Sequence, residues 1–231
     1  MSIPLVCIPL KKMISVDIGG ALQRLIEDRC RLDKKPVPPD VVQAAHEVAA
    51  LREQLIAIDK LSYSTAEAAA TAFMRYYGLI SLLERRFDAH GVELGLQFTW
   101  KDAFKPAKRV TFNDLQWERV GALFNAAAAY SFSACQAQPK GAAGGGLKEA
   151  AKLFQQSAGC LDAAHDLIKP AIWGLRPRWD PSTLTLDVRL EMLLALRDLM
   201  LAQAQRAFYE KAQSEGLGAA IQSKLISAAS A

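Results

Sequence analysis

The stretch STAEAAATAFMRYYGLISLLERRF, residues 64–87, decides the fold class. Ser64 with Glu67 three residues on has the form of a capping box, and Phe73, Tyr76, Tyr77, Ile80 and Leu83 then recur at intervals of one helical turn. That is one apolar stripe along a helix. The preceding segment repeats the device: Asp40 with Gln43 opens a run in which Val41, Ala45, Val48, Leu51, Leu55 and Ile58 keep the same period. Further upstream, Asp17 is placed to cap a helix carrying Leu22, Leu25 and Ile26 on one face, and the cluster Pro36 to Pro39 ends that unit.

Downstream the pattern changes to alternation between His90 and Phe104, through Leu94, Leu96, Phe98 and Trp100, which is a strand signal. The opening Ile3 to Leu10 intersperses apolar residues with proline and reads as a short edge strand able to pair with it. From Asn113 the helical period resumes through Leu115, Val120, Leu123, Phe124 and Ala127 to about Ala137, until PKGAAGGG (139–146) breaks it. Leu147 starts a helix to about Ile168, with Pro170 expected to stop it. Trp173 to Pro181 is a structured loop. Ser182 is expected to open a long helix through Leu190, Leu194, Met200 and Phe208, and a last helix carries Ile221, Leu225 and Ile226. The expectation is a mainly all-α chain, antiparallel helices beside a small N-terminal β-sheet, with no fixed repeat period.

Half of the 231 residues are apolar, enough for a large core, and alanine is abundant, which favours helices packed closely together. A net charge of +4 spread among interleaved acids and bases argues against a nucleic-acid binder. Lys101, Lys105, Lys108 and Arg109 do cluster near the presumed strand end, and such a patch can touch an anionic membrane. Cys7, Cys30, Cys135 and Cys160 have no CxxC spacing and read as reduced core thiols. The N-terminus carries its positive charges after its short apolar run, the reverse of a signal peptide, so the expectation is a cytoplasmic protein.

No residue set points to chemistry. His46, His90 and His165 lie far apart without ligand spacing, so no metal is expected. The glycines of 141–146 are not followed in register by the Lys and Ser/Thr of a phosphate loop, and read as a linker. Glu84, Arg85 and Arg86 read as a solvated charge run. No cofactor, small-molecule substrate or enzymatic activity is expected.

RYYGLISLLERRF (75–87) followed by FTWKDAF (98–104) resembles the BRO domain family. Glu118 with ALFNAAA around Asn125, LKEAAKLFQQSAG (147–159), MLAQAQRAFYEKA (200–212) and the opening IPLKK with Val16-Asp17 are similar to family segments in the same order. The resemblance covers nearly the whole chain, 1–231, and implies that the family's domain continues well past Ala231. It implies a curved helical array with a tetratricopeptide-like core, a small sheet and no catalysis. It further implies an adaptor of endosomal sorting, recruited to endosomal membranes, that binds the C-terminal amphipathic helix of ESCRT-III (charged multivesicular body) subunits in an apolar groove. The groove positions fall on Phe208, Ile221 and Leu225, with Lys148 and Lys152 at the rim, while the family's acidic rim position falls on Gly144. Another branch of the family implies a different partner, a small GTPase or a pH-signalling component. Independently of the resemblance, Ile221 and Leu225 are four apart on one helix face, as are Lys148 and Lys152 on another. An apolar floor flanked by cations suits a helix with Leu or Met on one side and acids beside them.

Overall fold

A computed structural model describes residues 4–62, 64–87, 95–137, 145–175 and 177–216. Among these are six helices, α1 (Ile18–Leu32), α2 (Pro39–Ile56), α3 (Ala66–Phe87), α4 (Leu115–Ala137), α5 (Gly145–Trp173) and α6 (Leu190–Ser214). An antiparallel hairpin, β1 (Phe98–Lys101) and β2 (Arg109–Phe112), stands between α3 and α4. Each helix packs on the next in the chain, α3 on α4, α4 on α5 and α5 on α6 most extensively. The molecule is therefore the helical array with a small sheet that the periodicities predict.

At its centre lies α4, buried on all sides from Leu115 to Ala129 except at Arg119. Ala126 to Ala129 let neighbouring helices approach closely from several directions, which is the pattern of a core helix rather than a surface one. Gly121 carries the same logic to the hairpin. A Cβ there would meet the Trp100 indole at 2.2 Å, so only glycine lets the ring lie on the helix.

The sheet differs from the expected pairing. Its second strand is Arg109–Phe112, and the N-terminal segment reaches it only through a single bridge, Met13 to Trp100, with Lys101 N–H donating to the Lys12 carbonyl at 2.8 Å. Pro4 and Pro9 have no N–H to give a ladder. Side chains satisfy the rest of this segment: Ile8 N–H donates to Ser131 Oγ (2.9 Å), Lys11 N–H to Asn125 Oδ1 (2.7 Å), and the Asn125 amide donates back to the Lys11 carbonyl (2.9 Å). Gln203 does the same for Val6, accepting at 2.6 Å and donating at 3.0 Å.

Several boundaries also move. Asp17 caps α1 as expected, accepting from Gly20 N–H at 2.8 Å. The first turn of α2 begins with Pro38 and Pro39 and has no side-chain cap, Asp40 lying inside it. The turn before α3 is built on Ser62 and Thr65 rather than Ser64, since Ser62 N–H donates to Thr65 Oγ1 (3.1 Å) and Ala66 N–H to the Ser62 carbonyl (3.0 Å). Pro170 does not stop α5, which runs on to Trp173. The expected helix from Ser182 starts only at Leu190. Before it come two 3₁₀ turns, Pro181–Thr183 and Leu186–Val188, separated by extended backbone at Leu184 and Arg189. Of the four free cysteines only Cys160 is in the core; Cys7 is exposed and Cys30 and Cys135 are half-buried. Glu84 is not a solvated charge, because it pairs with Arg119 where both side chains are mostly buried.

Candidate functional site

α5 and α6 form the most extensively packed helix pair of the array, and they carry the expected groove positions that are described, Lys148, Lys152 and Phe208. The chain reverses between them, and Arg197 on α6 pairs with Asp162 on α5 at 3.1 Å. In that antiparallel register the start of α5, with Lys148 and Lys152, is level with the last turns of α6, where Phe208 sits. The buried sides are made of small and aliphatic residues, Ala150, Phe154 and Leu161 on α5 and Met200, Ala204 and Ala207 on α6. Such faces bring helix axes close and leave the outer edges as walls.

Phe208 is half-buried, packed on the core with part of its ring exposed. Leu201 lies seven residues before it, hence on the same face, and is 41% exposed. Lys148 and Lys152 are both exposed on α5; Lys152 lies 3.7 Å from Glu149, and Lys148 has no ion pair among the described residues. Ile221, Leu225 and Gly144 fall outside the described residues. The structure thus brings Phe208 and the two lysines to one end of one helix pair, and adds Leu201. The seven-residue spacing from Leu194 through Leu201 to Phe208 is the signal that could have found it in the sequence.

Two buried charge clusters hold these helices in place. Glu118 on α4 accepts from Arg52 Nε (2.8 Å), Tyr76 Oη (2.9 Å) and Trp100 Nε1 (2.7 Å), joining α2, α3, α4 and β1. Both members of the Arg52–Glu118 pair are sealed from solvent. Burial, and then the Glu118 charge, push the Tyr76 hydroxyl well above its ordinary value. Burial lowers Arg52, but Glu118 and Tyr76 outweigh it and the net shift is upward. The second cluster ties the N-terminal segment to the entry of α6: Lys11 Nζ donates to Asp187 Oδ2, which also accepts from Ala103 N–H at 2.7 Å. Burial draws the Lys11 ammonium below its usual range, against the pull of Asp187. Both clusters are sealed from solvent and position helices, with Arg52 Nη1 and Asp187 Oδ1 left without a hydrogen-bond partner among the described residues.

His46 is exposed, and His165 meets only the adjacent Asp166, at 3.3 Å. His90 lies outside the described residues. Among the described residues no cluster of His, Cys, Asp and Glu is placed to hold a metal ion.

A helical array with an interior fixed by buried charge, with Leu201 and part of Phe208 exposed among the described residues, defines a helical scaffold. The chain belongs to the BRO1-like domain family, whose model matches residues 5–231. It is similar to the vacuolar protein-sorting protein BRO1 of Gibberella zeae, 30% identical over 98% of this chain and 20% of that protein. It is 29% identical to the programmed cell death 6-interacting protein of Mus musculus, over 94% of this chain and 24% of that one. The pH-response regulator palA/RIM20 of Saccharomyces cerevisiae matches at 30% identity over 90% of the chain and 28% of its own length. The chain thus spans under a third of each of these relatives. Among solved structures, the ALIX BRO1 CHMP4C complex superposes with a TM-score of 0.76 at 28% identity, over 96% of this chain and 60% of that one.

Proposed function

We propose that this chain is a non-enzymatic adaptor that takes the C-terminal amphipathic helix of an ESCRT-III subunit along the outer edge of α5 and α6, in endosomal sorting and membrane remodelling. One observation carries the reading: Leu201 and the exposed part of Phe208 share a helix face at the level of two exposed lysines. A helix burying Leu or Met on that strip and setting acids against Lys148 and Lys152 meets both features. Ile221 and Leu225, outside the described residues, are assigned to the same proposed groove by the family resemblance. The likeness to a BRO1 domain solved with CHMP4C supports this choice of partner. Relatives named for vacuolar protein sorting support a cytoplasmic protein recruited to endosomal membranes, and the cluster Lys101, Lys105, Lys108 and Arg109 supports peripheral contact with an anionic surface. Among the described residues no helix is long and apolar enough to cross a membrane.

The test is a titration of the purified chain with a labelled ESCRT-III C-terminal peptide. Phe208→Asp is expected to weaken binding by at least about tenfold, because a buried aromatic contact is replaced by an unpaired charge. Unchanged affinity would remove the groove from the reading. The match to a pH-response regulator favours a second reading, a family scaffold for a pH-signalling component, with a small GTPase the further alternative partner. A chain that ignores the ESCRT-III peptide but retains such a protein in a pull-down would select it.

A further inference from the structure

The turn between β1 and β2 faces the two 3₁₀ turns that lead into α6, and between them lies a cleft of 450 Å³. Four cations line it, Lys105, Lys108 and Arg109 from the hairpin and Arg189 from the foot of α6. None of the four has an ion-pair partner among the described residues. The acid in the lining, Asp102, is 1% exposed, and its carboxylate already accepts from the N–H groups of Phe104 (2.8 Å), Lys105 (2.9 Å) and Leu186 (3.1 Å). Behind it, Asp187 is offset by Lys11. The cleft therefore presents a surplus of positive charge that the fold does not consume.

A second observation lies in the lining itself. Thr185, also in the lining, is 5% exposed, and its hydroxyl has no hydrogen-bond partner among the described residues. A buried polar group left unmet is unfavourable, and an acceptor oxygen entering the cleft would relieve it. Four unpaired cations around one concavity repel each other until an anion sits among them, and the planar guanidinium of Arg189 suits a phosphate. The space is that of a small-molecule site, larger than one phosphate needs.

We propose that this cleft binds a polyphosphorylated inositol group, either free or as a phosphoinositide headgroup. Trp173, 62% exposed, lines an adjoining depression that shares Ser182, Leu184 and Arg189 with the cleft. An exposed indole beside an anion site favours the membrane source. The inference deepens the membrane contact of the basic cluster and does not depend on the helix groove.

The experiment uses the full chain with three probes: free inositol trisphosphate, phosphatidylcholine vesicles doped with phosphatidylinositol bisphosphate, and vesicles of equal surface charge made with phosphatidylserine. Binding of the first two in preference to the third is expected, with affinity falling about tenfold in Arg189→Gln and a few-fold in Thr185→Val. Lys108→Gln, in an exposed turn, serves as a second variant with the same expected direction. Binding of the doped vesicles alone assigns the lipid as the source, and comparable binding of the free trisphosphate assigns a soluble ligand. Absence of binding to both, or binding that phosphatidylserine matches and Arg189→Gln leaves unchanged, overturns the proposal. Arg189→Gln is expected to leave ESCRT-III peptide affinity intact, so the two readings fail separately.

Discussion

The middle of α4 and the end of α6 invert the usual rule in opposite directions. On α4, Glu118 and Asn125 are polar, seven residues apart and sealed in the core; on α6, Leu201 and Phe208 are apolar, seven apart and left partly in water. The first pair is fully engaged with partners from four other segments, whereas the second is left partly uncovered by the described residues. Buried charge is costly unless it is paired, so it fixes one arrangement of helices; apolar surface left in water gains by being covered, so it is where the proposed partner helix would dock. The contrast separates what holds this scaffold from what it offers.

Removing Glu118 attacks the first region most severely. Glu118→Ala leaves Arg52 as an uncompensated buried cation and strips Tyr76 and Trp100 of their acceptor, with an expected loss of about 3–5 kcal/mol in urea denaturation. A loss below about 1 kcal/mol would mean that the seam is dispensable. Tyr76→Phe removes one of the three bonds and should cost about 1 kcal/mol near neutrality. It also carries a pH signature. Because the folded-state value of Tyr76 is raised above 10.0, the unfolded chain gives up this proton first, and the hydroxyl's contribution is complete below pH 10 and lost as pH rises further. Wild type should therefore lose stability more steeply than Tyr76→Phe above that pH, and parallel curves would contradict the assignment. On the outer region, Lys152→Glu should leave the denaturation midpoint unchanged while slowing association with an acidic helix by roughly threefold at low salt, a difference that shrinks as salt is added.

The helices were readable from sequence because an apolar stripe repeats every turn whatever it packs against. The ends were less so. Pro170 reads as a stop, yet the helix forgoes that one N–H and closes beyond it, with Gly174 N–H donating to the Pro170 carbonyl (3.0 Å) and Arg178 and Trp179 N–H to that of Ala171 (2.7 and 3.0 Å); Ser182 reads as a start, although extended backbone at Leu184 and Arg189 postpones α6 to Leu190. The Ile3–Leu10 segment reads as an edge strand because its apolar residues are interspersed with proline, but in the described residues 4–11 its N–H partners are the side chains of Ser131, Asn125 and Gln203, which no periodicity announces. The site divides in the same way. Phe208 follows from the family likeness alone, and Lys148 and Lys152 from that likeness together with their spacing of four. The Glu118 cluster draws on residues 52, 76 and 100, and the cationic cleft joins the 102–109 turn to residues 182–189. Separation of that kind becomes visible only when the chain is folded.

The outer strip of α6 is proposed to serve recognition and to contribute little to stability. Leu201→Asp tests it when one preparation is measured twice, by urea denaturation and by titration with the ESCRT-III peptide. Stability within about 0.5 kcal/mol of wild type, together with affinity reduced about tenfold or more, is the predicted outcome. Full affinity in a chain that is equally stable, or a chain that unfolds, would contradict it.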